Sequence, residues 1–156
     1  MTPKKLFNLF AKSEAVTWAL LLSGLAARAL TEMSPIVLTI VGSLHGLVFL
    51  GYGVTAALVG INQRWGFAQT AIGIVLAIVP FATVPFEKRK LKSGALEGAW
   101  RTAEGNQTNK SGLIERLFLF FIARPLVLIL VLVIAVFAVF SFLLWLGPPD
   151  QWFDRE

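Results

Sequence analysis

The chain has 156 residues, 56% of them hydrophobic and 15% charged, with a net charge of +5 and a mean hydropathy of +0.74. A soluble domain carries about 45–50% apolar and about 25% charged residues, so both departures point to a membrane protein with no room for a soluble catalytic domain. Without cysteine it has no disulfide, thiolate nucleophile or Cys-based metal site, and its basic residues cluster beside hydrophobic runs, where they fix topology or meet lipid head groups rather than nucleic acid.

Four apolar segments predict an all-α, polytopic membrane protein with four transmembrane helices. Residues 1–92 form a three-span membrane domain, with spans at about 14–30, 36–61 and 67–86. The prefix 4–12 either extends the first helix or lies in the interface. Lys4-Lys5, an apolar stretch and Ala27-Arg28-Ala29 have the outline of a cleavable secretory signal. Glu14 interrupts that stretch, so residues 1–30 are expected to stay as a helix. In the turn before the second span, Ser34 suits the N-cap and Pro35 the first helical turn. The third span contains Pro80 and Pro85, which should kink or open its last turns.

Glu87-Lys88-Arg89-Lys90-Leu91-Lys92 then makes an abrupt polar wall. Residues 93–124 read as a mobile, basic polar loop with an amphipathic end, with a short helix expected around 95–101. The sequons at Asn106 and Asn109 read as chance in an Asn- and Thr-rich loop. The fourth span is 125–147. Within it, residues 126–146 contain no charge, proline or glycine, and about 20 such residues cross a hydrocarbon core of about 30 Å. Residues 148–156 are an acidic tail.

If successive loops alternate sides, an inner N-terminus places Lys4, Lys5, Lys12, Arg64 and Arg155 inside. An outer one places Arg28, Lys88, Arg89, Lys90, Lys92, Arg101, Lys110, Arg116 and Arg124 inside. The positive-inside rule therefore predicts a bacterial cell-membrane protein with both termini outside and loop 87–116 in the cytoplasm. Trp65, Trp145 and Trp152 would then share an outer aromatic belt.

Ionisable residues within spans are candidate functional groups, because burying each costs at least a few kcal/mol. With neighbouring helices antiparallel, Arg28, His45 and Glu87 fall in one half of the membrane and form a candidate polar cluster. Its alternatives are a relay or small ligand site, or side chains that merely pair, snorkel or donate to a carbonyl. Glu14 falls near the opposite face, level with Gly53. Gly42, Gly46, Gly53, Ala57 and Gly60 lie on one narrow stripe of the second span, a candidate packing face where another helix backbone, from the first and third spans or from another subunit, can approach. On that reading Gly46→Leu is damaging and Gly60→Leu milder. No H-E-x-x-H, G-x-S-x-G, Walker loop or G-x-G-x-x-G occurs, so no enzyme, cofactor or metal is expected.

Glu14 within Ser13-Glu14-Ala15-Val16-Thr17-Trp18, the Gly42-Ser43-Leu44-His45-Gly46 motif with Phe49 and Tyr52 after it, and Pro80-Phe81-Ala82-Thr83 followed by the basic run carry a resemblance. Over residues 5–92 the chain resembles a small bacterial integral-membrane family, common in actinobacteria and catalogued as a domain of unknown function. In that family Pro-Phe-Gly stands where this chain has Pro80-Phe81-Ala82. The resemblance implies membrane location and three helices, without an activity. The first functional reading is a non-catalytic accessory subunit that packs, within the bilayer, against other subunits of a transport or respiratory complex. The second is a small proton-coupled transporter using Glu14, although Lys12 would place that carboxylate near the interface. The third is a haem or metal binder through His45, for which Tyr52 or another chain would supply the second ligand.

Overall fold

The computed structural model describes residues 1–32, 34–101 and 113–146. These residues are all helix and turn. Helix α1 spans Pro3–Leu30, with Thr2 as N-cap accepting from the Lys5 backbone N–H and Pro3 in the first turn. The prefix thus extends the helix. Helix α2 spans Pro35–Asn62, and Ser34 is its N-cap without a side-chain hydrogen bond. Each is 28 residues, long and apolar enough to cross a membrane.

The two helices pack antiparallel. Phe7 stacks tilted on Tyr52 at 5.6 Å between centroids, Phe10 covers Gly51, Thr17 meets His45, and Gly24 meets Leu38. This register differs by one to two helical turns from the one that simple hairpin geometry predicts.

The expected third span is not one helix. Helix α3 covers only Phe67–Val75 and passes into a 3-10 turn at Leu76–Ile78. The chain then reverses, with Phe81 at φ 65°, and helix α4 runs Thr83–Lys92. Three contacts along α1 establish the reversal. Trp18 bonds Ala77, Glu14 and Ala11 bond Thr83, and Asn8 bonds Glu87. The chain therefore climbs α3 to the level of Trp18 and descends α4 to the level of Asn8. Phe86 of α4 folds over Gly73 of α3 and meets the Trp65 ring edge-on, closing the hairpin.

Pro80 is the physical reason. It removes a backbone donor and clashes with the preceding turn, so the helix ends before it. The N-terminus, the turn between α2 and α3, and the basic run of α4 therefore all lie at one end of the helices, whereas an unbroken third helix would carry residues 87–92 to the other end.

Residues 93–101 form turns and no helix, with Gly94 and Gly98 in left-handed conformations (φ 69° and 108°) that a helix cannot accommodate. Far from being loose, they are docked on the same end. Leu96 is fully buried, Trp65 Nε1 donates to the Ala95 carbonyl, Asn62 bonds the backbone of Ala99 and Arg101, and Trp100 Nε1 donates to the Met1 carbonyl. Helix α5 (Leu113–Ala123) and helix α6 (Pro125–Leu146) follow, and both pack against α2. The sequons at Asn106 and Asn109 and the acidic tail lie outside the described residues.

The glycine stripe of α2 is only partly a packing face. A Cβ at Gly42 or Gly46 would meet nothing within 4 Å, and one at Gly53 would make ordinary contact with Ile74. Ala57 is half-buried. The tight site is Gly60, where a Cβ would lie 2.6 Å from Thr70 Oγ1 and 3.2 Å from its Cβ. The stripe splits because α3 enters beside Gly60 and turns away before reaching the level of Gly46.

The expected order of the two substitutions is thereby reversed. Thr70 is short and β-branched and cannot swing clear, so Gly60→Ala is expected to cost about 1–3 kcal/mol. Gly46→Ala has open space in a helix interior and is expected to be neutral or stabilising by up to about 1 kcal/mol. Thermal unfolding of both variants in detergent checks the order; equal midpoints would contradict the packing described here.

Candidate functional site: a buried polar cluster

Between α1, α2 and the hairpin lies a run of polar side chains enclosed by apolar ones. Glu14 and Thr83 are 0% exposed, Glu87 3% and Thr17 5%. Helix α1 supplies Asn8, Glu14 and Thr17, which its periodicity turns inward together with Phe7 and Ala11. Helix α4 supplies Thr83 and Glu87, four residues apart and so on one face. Helix α2 supplies His45 and Tyr52, seven residues and two turns apart.

Thr83 Oγ1 lies 2.6 Å from Glu14 Oε2 and 3.3 Å from the Ala11 carbonyl oxygen. A single hydroxyl proton serves one of these at a time. Asn8 Nδ2 donates to Glu87 Oε1 at 2.5 Å. Thr17 Oγ1 lies 3.0 Å from both the Glu14 carbonyl oxygen and His45 Nδ1. If the hydroxyl donates to that carbonyl, its oxygen accepts from His45 in the Nδ1–H tautomer. The His45 ring leans on Trp18 at 4.5 Å between centroids. Glu14 Oε1 and the Tyr52 hydroxyl are fully buried without a hydrogen-bond partner. Chemically, this is a protein-lined interior with two carboxyls, one of them holding an uncommitted oxygen.

The structure does not bring Arg28, His45 and Glu87 together. Arg28 is exposed in the last turn of α1 and makes no ion pair among the described residues. Glu87 sits level with Asn8, and the twenty residues from there to Arg28 span about 30 Å of helix. The prediction failed because it continued the third span across the membrane, which would carry Glu87 to the far end. Glu14, in contrast, is drawn inside the cluster. It lies eleven residues into α1, on the face opposite the exposed Lys12.

Asn8, Thr17 and Thr83 were not singled out by sequence reasoning. Their signal was a polar residue within an otherwise apolar stretch, unreadable without the depth of the hairpin. His45 and Tyr52 do not suit a pair of axial haem ligands. They stand on one face of one helix about 10 Å apart, whereas such ligands approach iron from opposite sides. Among the described residues no three His, Asp or Glu side chains are grouped to hold a metal ion.

At the cluster's outer edge, Lys90 Nζ lies 4.1 Å above the Trp65 ring and donates to Gln69 Oε1. Partial burial there pulls its pKa below the usual lysine value.

Residues 4–92, the stretch that builds α1, α2 and the hairpin, match the domain of unknown function DUF3817. The chain belongs to that family. The chain also resembles a Streptomyces coelicolor protein named "Putative membrane protein SCO5905", with 37% identity over 91 residues. That stretch is 58% of this chain and 11% of the relative, which is much the longer protein. No solved structure gives a significant match. The comparisons agree with the family expectation over nearly the predicted residues, and they support a membrane protein of unknown function.

The Glu14–Thr83 contact makes the hairpin testable. Thr83→Val keeps the shape and strips the hydroxyl from a buried carboxyl, with an expected cost of about 1–3 kcal/mol. Thr83→Ser retains the hydroxyl and is expected to lose less. Unfolding midpoints in detergent measure both, and a Thr83→Val chain as stable as its parent would show that the contact contributes nothing.

Proposed function

We propose that this DUF3817 chain is a non-catalytic, multi-pass membrane component that works packed against a larger membrane protein. One observation carries the reading. In the Streptomyces relative a stretch like this one is 11% of a far longer putative membrane protein, so there the module is covalently part of a larger polypeptide. A stretch that in one protein is joined to a much longer membrane polypeptide is suited to lie against further membrane helices.

The surface supports the same reading. Beyond the hairpin tip, α1 and α2 lie bare, with Leu22, Leu25, Ile36 and Ile40 exposed, so this half faces lipid or another membrane helix. The cluster's polar side chains face one another inside the chain, and the sequence carries no enzyme motif.

In this reading α1, α2 and α6 cross the bilayer, and α3–α4 is a re-entrant hairpin reaching about half depth. Helix α6, at 22 residues, is about 33 Å long, enough to cross. The orientation reverses the prediction from sequence. The end with the N-terminus carries Lys4, Lys5, Lys12, Arg64, Lys88, Arg89, Lys90, Lys92 and Arg101, whereas the turn between α1 and α2 has Arg28 alone. The positive-inside rule then places the N-terminus and basic run in the cytoplasm.

Purification from native membranes in mild detergent, followed by mass spectrometry, is expected to recover a larger membrane protein in stoichiometric amount. Recovery of the chain as a clean monomer or homodimer would contradict the proposal.

A further inference from the structure

An open groove of about 980 Å³ runs along the outer side of α1, touching the buried cluster only at Asn8 and Thr17. Its mouth is basic, formed by Lys4, Lys5 and Lys12, and its deeper wall is apolar, formed by Val16 and Leu20 of α1 with Leu44 of α2. Lys5 and Lys12 are exposed and form no ion pair among the described residues, while Lys4 is tied to Glu97 at 2.7 Å. The groove is therefore divided along its length into a cationic end and a hydrocarbon-like end. Lys12 and Leu20 are eight residues apart, about 12 Å of helix. One leaflet of a hydrocarbon core about 30 Å thick is about 15 Å deep.

We infer that this groove binds one anionic phospholipid from the leaflet at the N-terminal end, its phosphate between Lys5 and Lys12 and an acyl chain along Val16, Leu20 and Leu44. Charge complementarity selects the occupant. A protein helix would satisfy the apolar wall but leave the lysines unmatched, and a zwitterionic lipid brings a cation to the same mouth. Ser13 also lines this end and adds a hydroxyl beside the lysines. The inference does not depend on whether the chain serves a larger assembly.

Native mass spectrometry tests it on the full chain, released from micelles containing equal amounts of phosphatidylglycerol and phosphatidylcholine. The parent is expected to retain one phosphatidylglycerol preferentially. Lys5→Gln with Lys12→Gln is expected to lower that preference by about thirtyfold, since each lysine near an anionic surface contributes on the order of 1 kcal/mol. Lys88→Gln with Arg89→Gln removes the same charge from exposed positions on α4 that do not line the groove, and is expected to leave the preference unchanged. An excess of glycerophosphoglycerol, the head group without acyl chains, should not displace the lipid. Equal loss in the two double variants would reduce the effect to overall charge and overturn the site. Displacement by the head group alone would overturn the role of the apolar wall, and no preference in the parent would remove the proposal outright.

Discussion

The structure depends on the chain reversal at residues 79–82. Backbone groups have no water partner in hydrocarbon, so a break in a helix survives there only if its polar groups are met by protein. Here Pro80 brings no N–H. The Val79 and Ala82 N–H groups bond to nearby carbonyls in the turn. Trp18 donates to the freed carbonyl of Ala77 at 3.1 Å, and Thr83, the first residue of α4, bonds Glu14 and Ala11 of α1. With the hairpin pinned in this way, α4 can return along α1, Glu87 can reach Asn8, and the basic run emerges beside the N-terminus. A non-glycine residue, Phe81, accepts a left-handed conformation at the tip, which costs on the order of 1–3 kcal/mol and persists only where its surroundings determine it.

Packing below the tip is of two kinds. At the N-terminal end, Phe7 touches Tyr52, Trp65 and Phe86, binding α1 to α2, to the turn between α2 and α3, and to α4 through aromatic faces and edges. Deeper in, the polar cluster takes over. Apolar contact between helices gives little net driving force in a bilayer, and close packing and interhelical hydrogen bonds matter relatively more. A buried Glu–Thr or Asn–Glu contact there joins specific elements in one register, which Leu or Val contacts would not fix. The uncommitted Glu14 oxygen and the Tyr52 hydroxyl show that the cluster is not saturated internally.

The first two helices were legible in the sequence, because length, hydropathy, Ser34 and Pro35 all agree on them. The hairpin was not. A hydropathy window sees residues 67–86 as one apolar stretch, whether they cross the bilayer or enter it and return. The relevant signs were Pro80 within the stretch and the charged run so soon after it. They were read as a kink because nothing local reports direction. From that one reading follow the misplaced Glu87 and the Arg28–His45–Glu87 grouping. Glu14 and His45 were correctly singled out as buried polar residues within the spans, but their partners Thr83 and Thr17 come from helices whose register only the folded chain defines. Within the chain, only the Gly60 end of the glycine stripe is close-packed, for a related reason. Periodicity shows that small residues share a face, not how far along it a neighbour extends.

The proposed re-entrant hairpin is tested most directly by sidedness labelling, for which a sequence without cysteine is well suited. Three single-cysteine variants, Lys5→Cys, Glu32→Cys and Lys88→Cys, are expressed in cells and exposed to a membrane-impermeant maleimide before and after permeabilisation. Lys5→Cys and Lys88→Cys are expected to react together, and Glu32→Cys under the opposite condition. Labelling of Lys88→Cys with Glu32→Cys, and apart from Lys5→Cys, would mean that residues 67–86 cross the whole membrane and would contradict the account.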